Sequence, residues 1–185
     1  MHLYLGVNEM ELLWDELETE IGTLLLVVDQ SALCALDYGD EQPQLMKRLT
    51  RRYGQFQLRR TKNPQEFTEL LQAYFAGDHP VLDRIPISVG GTPFQQQVWS
   101  ALRTIPSGET IAYGELAAKI GKPTAARAVG MANAVNPIVI VVPCHRVIGA
   151  NAKLVGYGGG LDRKQWLLNH EGSTLLLASR SPNKD

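Results

Sequence analysis

Cysteine is nearly absent: Cys34 and Cys144 are the only two in 185 residues. Two thiols so far apart exclude a disulfide-stapled scaffold. Together with His2, His79, His145 and His170 they offer no ligand spacing, so no metal is expected. No apolar run approaches the roughly 18 residues that cross a bilayer. Met1 to Glu20 carries acids where an export signal would carry a basic flank and an apolar segment. The chain also lacks internal repeats and any phosphate-cradling glycine motif. The glycines of 156–160 follow no strand-to-helix pattern, so no nucleotide, methyl donor or other cofactor is expected. These absences point to a cytoplasmic protein with reduced thiols and no membrane partner, expected to be a monomer.

Charge of one sign is missing overall, with a net −1, but the halves differ. Residues 1–90 hold 8 Lys and Arg against 14 Asp and Glu; residues 91–185 hold 10 against 5. Such a split directs an anionic partner to the second half only, although solvated faces also differ by chance. Hydrophobic residues reach 44%, enough for one ordinary domain or two small ones.

The pattern along the chain predicts an α+β protein. Thr23–Val28 and Ala32–Asp37, joined by Asp29-Gln30-Ser31, read as a β-hairpin. Leu45, Leu49 and Tyr53 recur at helical spacing after Pro43. Asn63-Pro64-Gln65-Glu66 has the form of a helix start, with Asn63 as cap, followed by Phe67, Leu70, Leu71, Tyr74 and Phe75 and ended by Gly77. Ile85–Val89 can add a strand. Gly90-Gly91 marks the expected domain boundary, with an amino-terminal domain of antiparallel sheet and helices over 1–90. A mainly helical domain follows over 91–175, and 176–185 is expected to be a flexible tail. Thr92-Pro93-Phe94-Gln95 opens its first helix. A helix at Tyr113–Ile120, a turn at Gly121-Lys122 and a helix from Pro123 to about Asn133 form a helix-turn-helix pattern. Asn136-Pro137 breaks it, Ile138–Val142 is wholly apolar, and Asp162–His170 makes a last helix closed by Gly172.

Cys144 ends the apolar run inside Pro143-Cys144-His145-Arg146. Alone it reads as a small buried hydrophobe. With a titratable and a cationic neighbour it reads as an activated nucleophile, because such groups lower a thiol's pKa. The second helix of the helical pair carries Thr124, Arg127 and Asn133 among small residues and no acids. That composition lets a helix approach DNA without repelling phosphates, though many helical hairpins are only structural. A reactive thiol beside a DNA-binding helix suggests chemistry on a base taken out of the stack. Two rivals stand beside this reading: a module that binds altered bases without reacting, and a cysteine hydrolase that leaves the helical pair unexplained.

Six ordered segments sharpen it. Thr92-Pro93-Phe94-Gln95, Arg127-Ala128-Val129-Gly130, Asn136-Pro137, Pro143 to Gly149, Gly156-Tyr157, and Lys164-Gln165-Trp166-Leu167-Leu168 with Glu171-Gly172 together resemble the O6-alkylguanine-DNA alkyltransferases. The likeness is dense over 91–172 and looser before, through Tyr74-Phe75-Ala76-Gly77. It is closest to the stand-alone bacterial type.

The resemblance implies irreversible transfer of the alkyl group from O6 of guanine, and of O4-alkylthymine, to Cys144, once per molecule. It implies a hydrogen-bonded chain of Glu171, His145 and water that activates the thiol, with Asn136 bracing the active-site turn. Tyr113 would donate to guanine N3, and Arg127 would fill the gap left by the flipped nucleotide. Thr124, Ala126 and Tyr113 would join Arg127 on double-stranded DNA, through the minor groove. Val142, Tyr157 and Gly158 would line the base pocket, where Gly158 replaces the serine of some members and opens the pocket to larger groups. Lys47, Arg48, Arg51 and Arg52 lie outside the matched segments and are expected to form a solvated helix face.

Overall fold

A computed structural model describes residues 10–173. The expected tail at 176–185 lies outside the described residues. Four strands form the first sheet in the order β3-β2-β1-β4: β1 (Met10–Leu17), β2 (Leu24–Asp29), β3 (Ala32–Tyr38) and β4 (Phe56–Arg60). The hairpin β2–β3 turns at Gln30, whose φ of +46° accommodates the reversal. β1 and β4 escaped the sequence reading, and β4 runs parallel to β1 while the other pairs are antiparallel.

Alternation along the strands sorts their side chains between two cores. Leu24, Leu26 and Val28 face the main core. Leu25 and Val27 face a smaller one, which α1 (Gln42–Tyr53) covers with Leu45 and Leu49. A bulge between Val27 and Val28 turns both Cys34 and Ala35 toward α1, while Leu33 and Leu36 stay on the main-core side.

Two helix starts differ from expectation. Asn63 adopts a left-handed conformation, and Pro64–Glu66 is a 3-10 turn, so α2 begins at Phe67 and runs to Phe75. The Asn63 side chain still accepts from Glu69 N at 3.1 Å, but Glu66 does not reach back to it. Likewise α5 (Ala126–Ala134) starts after Pro123, which lies in a turn closed by Ala125 N donating to Lys122 O at 2.8 Å. Thr92 and Gln95 do form a reciprocal capping box on α3 (Pro93–Leu102).

Ile85–Val89 is not a full strand. Pro86 has no N–H to give, and only Ile87 bridges Leu33. The same β3 edge carries a second bridge, from Leu36 to Ile138: Leu36 N donates to Pro137 O at 3.0 Å and Val139 N to Leu36 O at 3.0 Å. The edge of the first sheet is thus stitched to the apolar segment that precedes Cys144.

The helical half contains α3, α4 (Tyr113–Lys119), α5 and α6 (Leu161–His170), with a two-residue parallel pair β5 (Ile111–Ala112) and β6 (Val147–Ile148). α4 and α5 pack against each other across the 120–125 turn. Trp99 of α3 donates its indole N–H to Ala132 O at 3.0 Å, fixing α5 on the core. Among the described residues no helix is long and apolar enough to cross a membrane.

Candidate functional site

The segment 136–146 is a buried loop held by one side chain. Asn136 Oδ1 accepts from Ile138 N at 3.0 Å. Its Nδ2 donates to Val142 O at 2.7 Å and to Cys144 Sγ at 3.2 Å. At the apex Ile140 holds φ +70°, a region β-branched residues avoid at a cost of about 1–3 kcal/mol. Cys144–Arg146 then forms a 3-10 turn that leaves the Cys144 sulfur on Asn136 and sends both His145 and Arg146 to Glu171.

His145 and Glu171 meet in the interior, Nε2 to Oε1 at 3.0 Å, with neither side chain exposed. Arg146 also points inward. Its Nε meets Glu171 Oε2 and its Nη2 meets Oε1, both at 2.8 Å, and Nη2 donates to Ser107 Oγ at 2.8 Å. Tyr74 Oη supplies a further donor to Oε1 at 2.8 Å. Burial alone would raise the Glu171 pKa, but His145 and Arg146 outweigh it and hold the carboxylate ionised far below its usual range.

Burial pushes the His145 pKa down, against the pull of Glu171, so the ring is neutral. A neutral ring that donates Nε2–H to the carboxylate carries its lone pair on Nδ1. That atom is buried and makes no hydrogen bond among the described residues.

The thiol itself departs from expectation. Burial pushes the Cys144 pKa up, and the groups that oppose the rise are Asn136 and Lys164. His145 and Arg146, the sequence neighbours expected to activate it, are engaged with Glu171. Lys164 was not anticipated. Its signal was present, since Lys164 shares a helical face with Leu167 and Leu168, and a lysine on an apolar stripe needs acceptors. Its ammonium donates to Val147 O and Val155 O at 2.6 Å and to Gly156 O at 3.1 Å. Burial lowers its pKa to about 8.

Tyr157 and Gly158 line a cavity of about 720 Å³ with Cys144 and Asn136, and Lys47 and Arg51 of α1 also line it. Tyr157 Oη is 2.9 Å from Tyr38 Oη, and Arg163 lies over the Tyr38 ring at 4.1 Å. Gly159 packs so closely on Tyr38 that a Cβ there would sit 2.4 Å from the ring. Val142 is buried and enters this site through its carbonyl, held by Asn136. The basic run of α1 is only partly solvated: Arg48 pairs with Asp37 and Arg52 with Asp29 and Ser88, leaving Lys47 and Arg51 exposed.

Tyr113 stands half-buried at the start of α4, its hydroxyl 3.5 Å from Gly156 O and its ring over Gly130 of α5. Arg127 and Thr124 are exposed, Ala126 is half-buried, and Met131 is 70% exposed on the same helix. Asn133, expected on that outer face, is buried instead. The arrangement joins a buried thiol, a neutral imidazole fixed by a carboxylate, a cavity at the sulfur and a helix with no acids.

Two family descriptions match consecutive parts of the chain. The ribonuclease-like domain of 6-O-methylguanine DNA methyltransferase matches residues 12–89, and its DNA binding domain matches 93–173. A methylated-DNA–protein-cysteine methyltransferase of Salmonella typhimurium is 49% identical over 171 residues, 90% of this chain and 99% of that protein. Among solved structures, the O6-methylguanine methyltransferase of Mycobacterium tuberculosis is 40% identical with a TM-score of 0.69, over 94% of this chain and 96% of that one. The M. tuberculosis OGT in complex with DNA gives 0.71 at the same identity and coverage.

Proposed function

The chain belongs to the 6-O-methylguanine DNA methyltransferase family, and on that premise we propose that Cys144 is the acceptor to which it transfers alkyl groups from DNA. The protein is a DNA repair methyltransferase that moves the group to its own cysteine. The substrate we assign is O6-alkylguanine in duplex DNA, with O4-alkylthymine as a second. The protein acts as a monomer that approaches through the minor groove. One observation carries the assignment to Cys144: its sulfur lies 3.2 Å from a bound Asn136 amide, beside a histidine whose Nε2 is committed to Glu171.

Each group has a chemical task. Attack at a saturated carbon needs a thiolate, yet burial favours the thiol. His145 Nδ1 is the free base that takes the proton, through one bridging water, while Glu171 holds the tautomer and steadies the imidazolium. Asn136 and Lys164 stabilise negative charge on sulfur. As the S–C bond forms and the C–O6 bond breaks, the electron pair passes onto guanine. The Tyr113 hydroxyl donates to N3, where part of that charge collects, and the proton lost by the thiol is returned to the base.

The thioether is a poor leaving group and no residue of the site removes it, so each molecule reacts once. Arg127 fills the stack that the flipped base vacates, because a guanidinium is planar and donates hydrogen bonds. Thr124 and Ala126 lie along the duplex beside it. We read α4 and α5 as the helix-turn-helix that docks on DNA, and Gly90-Gly91 as the boundary between an amino-terminal domain (1–90) and the reactive domain (91–175).

The test is mass spectrometry of the intact protein and its peptides after incubation with a duplex bearing one O6-methylguanine. One methyl on the Cys144 peptide, with guanine restored, is the expected result. A methyl on Cys34, or none on a protein that still binds, would overturn it.

A further inference from the structure

Glu171 Oε1 is a crowded atom. It receives the His145 Nε2–H at 3.0 Å, an Arg146 Nη2–H at 2.8 Å and the Tyr74 O–H at 2.8 Å. The first two donors come from the turn that carries Cys144. The third comes from α2, in the part of the chain that matches the other family domain. The sequence places Tyr74 on a core stripe and in the Tyr74-Phe75-Ala76-Gly77 segment of the family likeness, neither of which points to Glu171.

The hydroxyl is held firmly. Tyr74 is fully buried, and its ring is flanked by Phe75, His79 and His170 at centroid distances of 5.3, 5.6 and 5.2 Å. Its carbonyl meets His170 Nε2 at 2.8 Å, so the helix that leads into Glu171 is tied to α2 as well. Thr68, one and a half turns earlier, donates to Asp15 Oδ2 of β1 at 2.8 Å and anchors α2 on the sheet. Burial and the adjacent carboxylate keep the phenol protonated, so it stays a donor.

We infer that Tyr74 is a positioning residue for the transfer reaction: its hydroxyl fixes Glu171 Oε1 and, through that oxygen, the ring of His145. The inference rests on the reading of Cys144 as acceptor and His145 as its base. The amino-terminal half is then part of the reactive assembly rather than a scaffold beside it. Three donors on one oxygen also set how strongly Glu171 pulls on the imidazole N–H. Removing the phenol donor leaves that pull to His145 and Arg146 alone, and raises the proton affinity of the ring. The other ionisable groups around this centre are Cys144 and Arg146 on the same turn, Tyr38 of β3, His79 after α2, Tyr157 before α6, and Lys164 and His170 on α6; Tyr74→Phe leaves all of them in place.

The experiment measures the single-turnover rate of the full-length protein against pH, on a duplex with one O6-methylguanine. Wild type is compared with Tyr74→Phe and with Leu71→Val, a core change in the same helix that removes neither a donor to Glu171 nor a ring that flanks Tyr74. Loss of a hydrogen bond to a charged group should slow Tyr74→Phe about tenfold. The acidic limb of its profile should move upward by roughly half a unit or more, as the ring holds its proton to higher pH. Leu71→Val should lower the melting temperature and keep the wild-type profile.

A wild-type rate and limb in Tyr74→Phe would overturn the inference, whatever its melting temperature. Should that variant fail to fold, 3-fluorotyrosine at position 74 keeps the ring and strengthens the donor. The limb should then move downward, and an unmoved limb would overturn the inference. Failure of the acceptor assignment would appear in the wild-type protein, as a methyl on another residue, and is thus separable from failure at Tyr74.

Discussion

Asn136 Nδ2 lies 3.2 Å from Cys144 Sγ and 2.7 Å from Val142 O, so one amide spans the Cys144 sulfur and the backbone two residues before it. Asn136→Ala removes the first of the two groups that oppose the upward shift of the thiol by burial. It also strands the buried Ile138 N, at a cost of about 1–3 kcal/mol, while Val142 O keeps the Cys144 N–H at 2.8 Å. The expected result is a lower melting temperature together with a higher thiol pKa, read by the pH dependence of alkylation by a small haloacetamide. An unchanged alkylation profile would mean that the amide acts on the loop alone.

Cys144→Ala should abolish transfer and leave DNA binding intact, because Cys144 is buried against the cavity while Arg127 and Thr124 are exposed on α5 and the turn before it. Cys34 cannot substitute. It is buried under α1, where burial raises its pKa to about 11, and its ionisable neighbours are Tyr53, Asp29 and Arg52 in place of the His145–Glu171 pair beside Cys144. Equilibrium binding to an O6-methylguanine duplex, beside a transfer assay, checks both halves of the expectation.

Much of this site was legible in the sequence, and the parts that were not share a physical reason. Local grammar located the hairpin β2–β3 and the capping box at Thr92, because each is fixed by residues close in the chain, and it singled out Cys144 by its neighbours, whereas the parts given to Asn136, His145 and Glu171 came from the family resemblance. The expected start of α2 at Pro64 failed because Asn63 takes a left-handed conformation and caps Glu69 instead. β4 was missed because four of its five residues are exposed, so no alternation betrays the strand. Tyr38, Tyr74 and Lys164 were missed as site residues because their partners are 119, 97 and 17 residues away, at distances no periodicity records.

Glu171 gives the fold an acid sensitivity with a defined sign. Its folded pKa lies below the ordinary 4.5, so its contribution is fully present above that pH and is lost as pH falls further. The folded pKa of His145 lies below 6.5, so the unfolded chain gains its proton first and stability also declines as pH drops through that value. Glu171→Gln should cost about 3–5 kcal/mol at neutral pH, the range for one partner removed from a buried ion pair. The gap from wild type should narrow below about pH 4.5, where the unfolded chain takes up a proton at Glu171 that the folded carboxylate still refuses. Urea unfolding at neutral pH and near pH 4 measures it, and a constant gap would mean the carboxylate is not ionised in the folded state.

Gly158 lines the cavity at Cys144, and a Cβ built there meets nothing within 4 Å. Gly158→Ser should therefore leave the melting temperature nearly unchanged. The added hydroxymethyl group takes space that a large alkyl substituent would use, and a methyl group would not. The expected outcome is a several-fold loss of rate on an O6-benzylguanine duplex with little change on O6-methylguanine, of the size one to two methylenes have in a pocket. Equal rates on both substrates for the two proteins would place the alkyl group elsewhere in the cavity.

Arg127 is exposed near the start of α5 and makes no ion pair among the described residues. Its neighbours Ala126, Ala128 and Gly130 are small, so the guanidinium can extend without obstruction by the helix that carries it. If it occupies the stack left by the flipped nucleotide, its value appears only where a duplex must be opened, and none remains when the substrate is the free base. Arg127→Ala should thus slow reaction with O6-methylguanine in a duplex by on the order of tenfold, the equivalent of about 1.4 kcal/mol. Reaction with free O6-benzylguanine should be unaffected. A residue that merely neutralises one phosphate behaves differently: its loss weakens binding to every sequence and lowers the salt slope by about one unit. Comparing the two substrates, and the salt dependence of binding beside them, separates these roles. Equal slowing on duplex and free base would remove Arg127 from base flipping altogether.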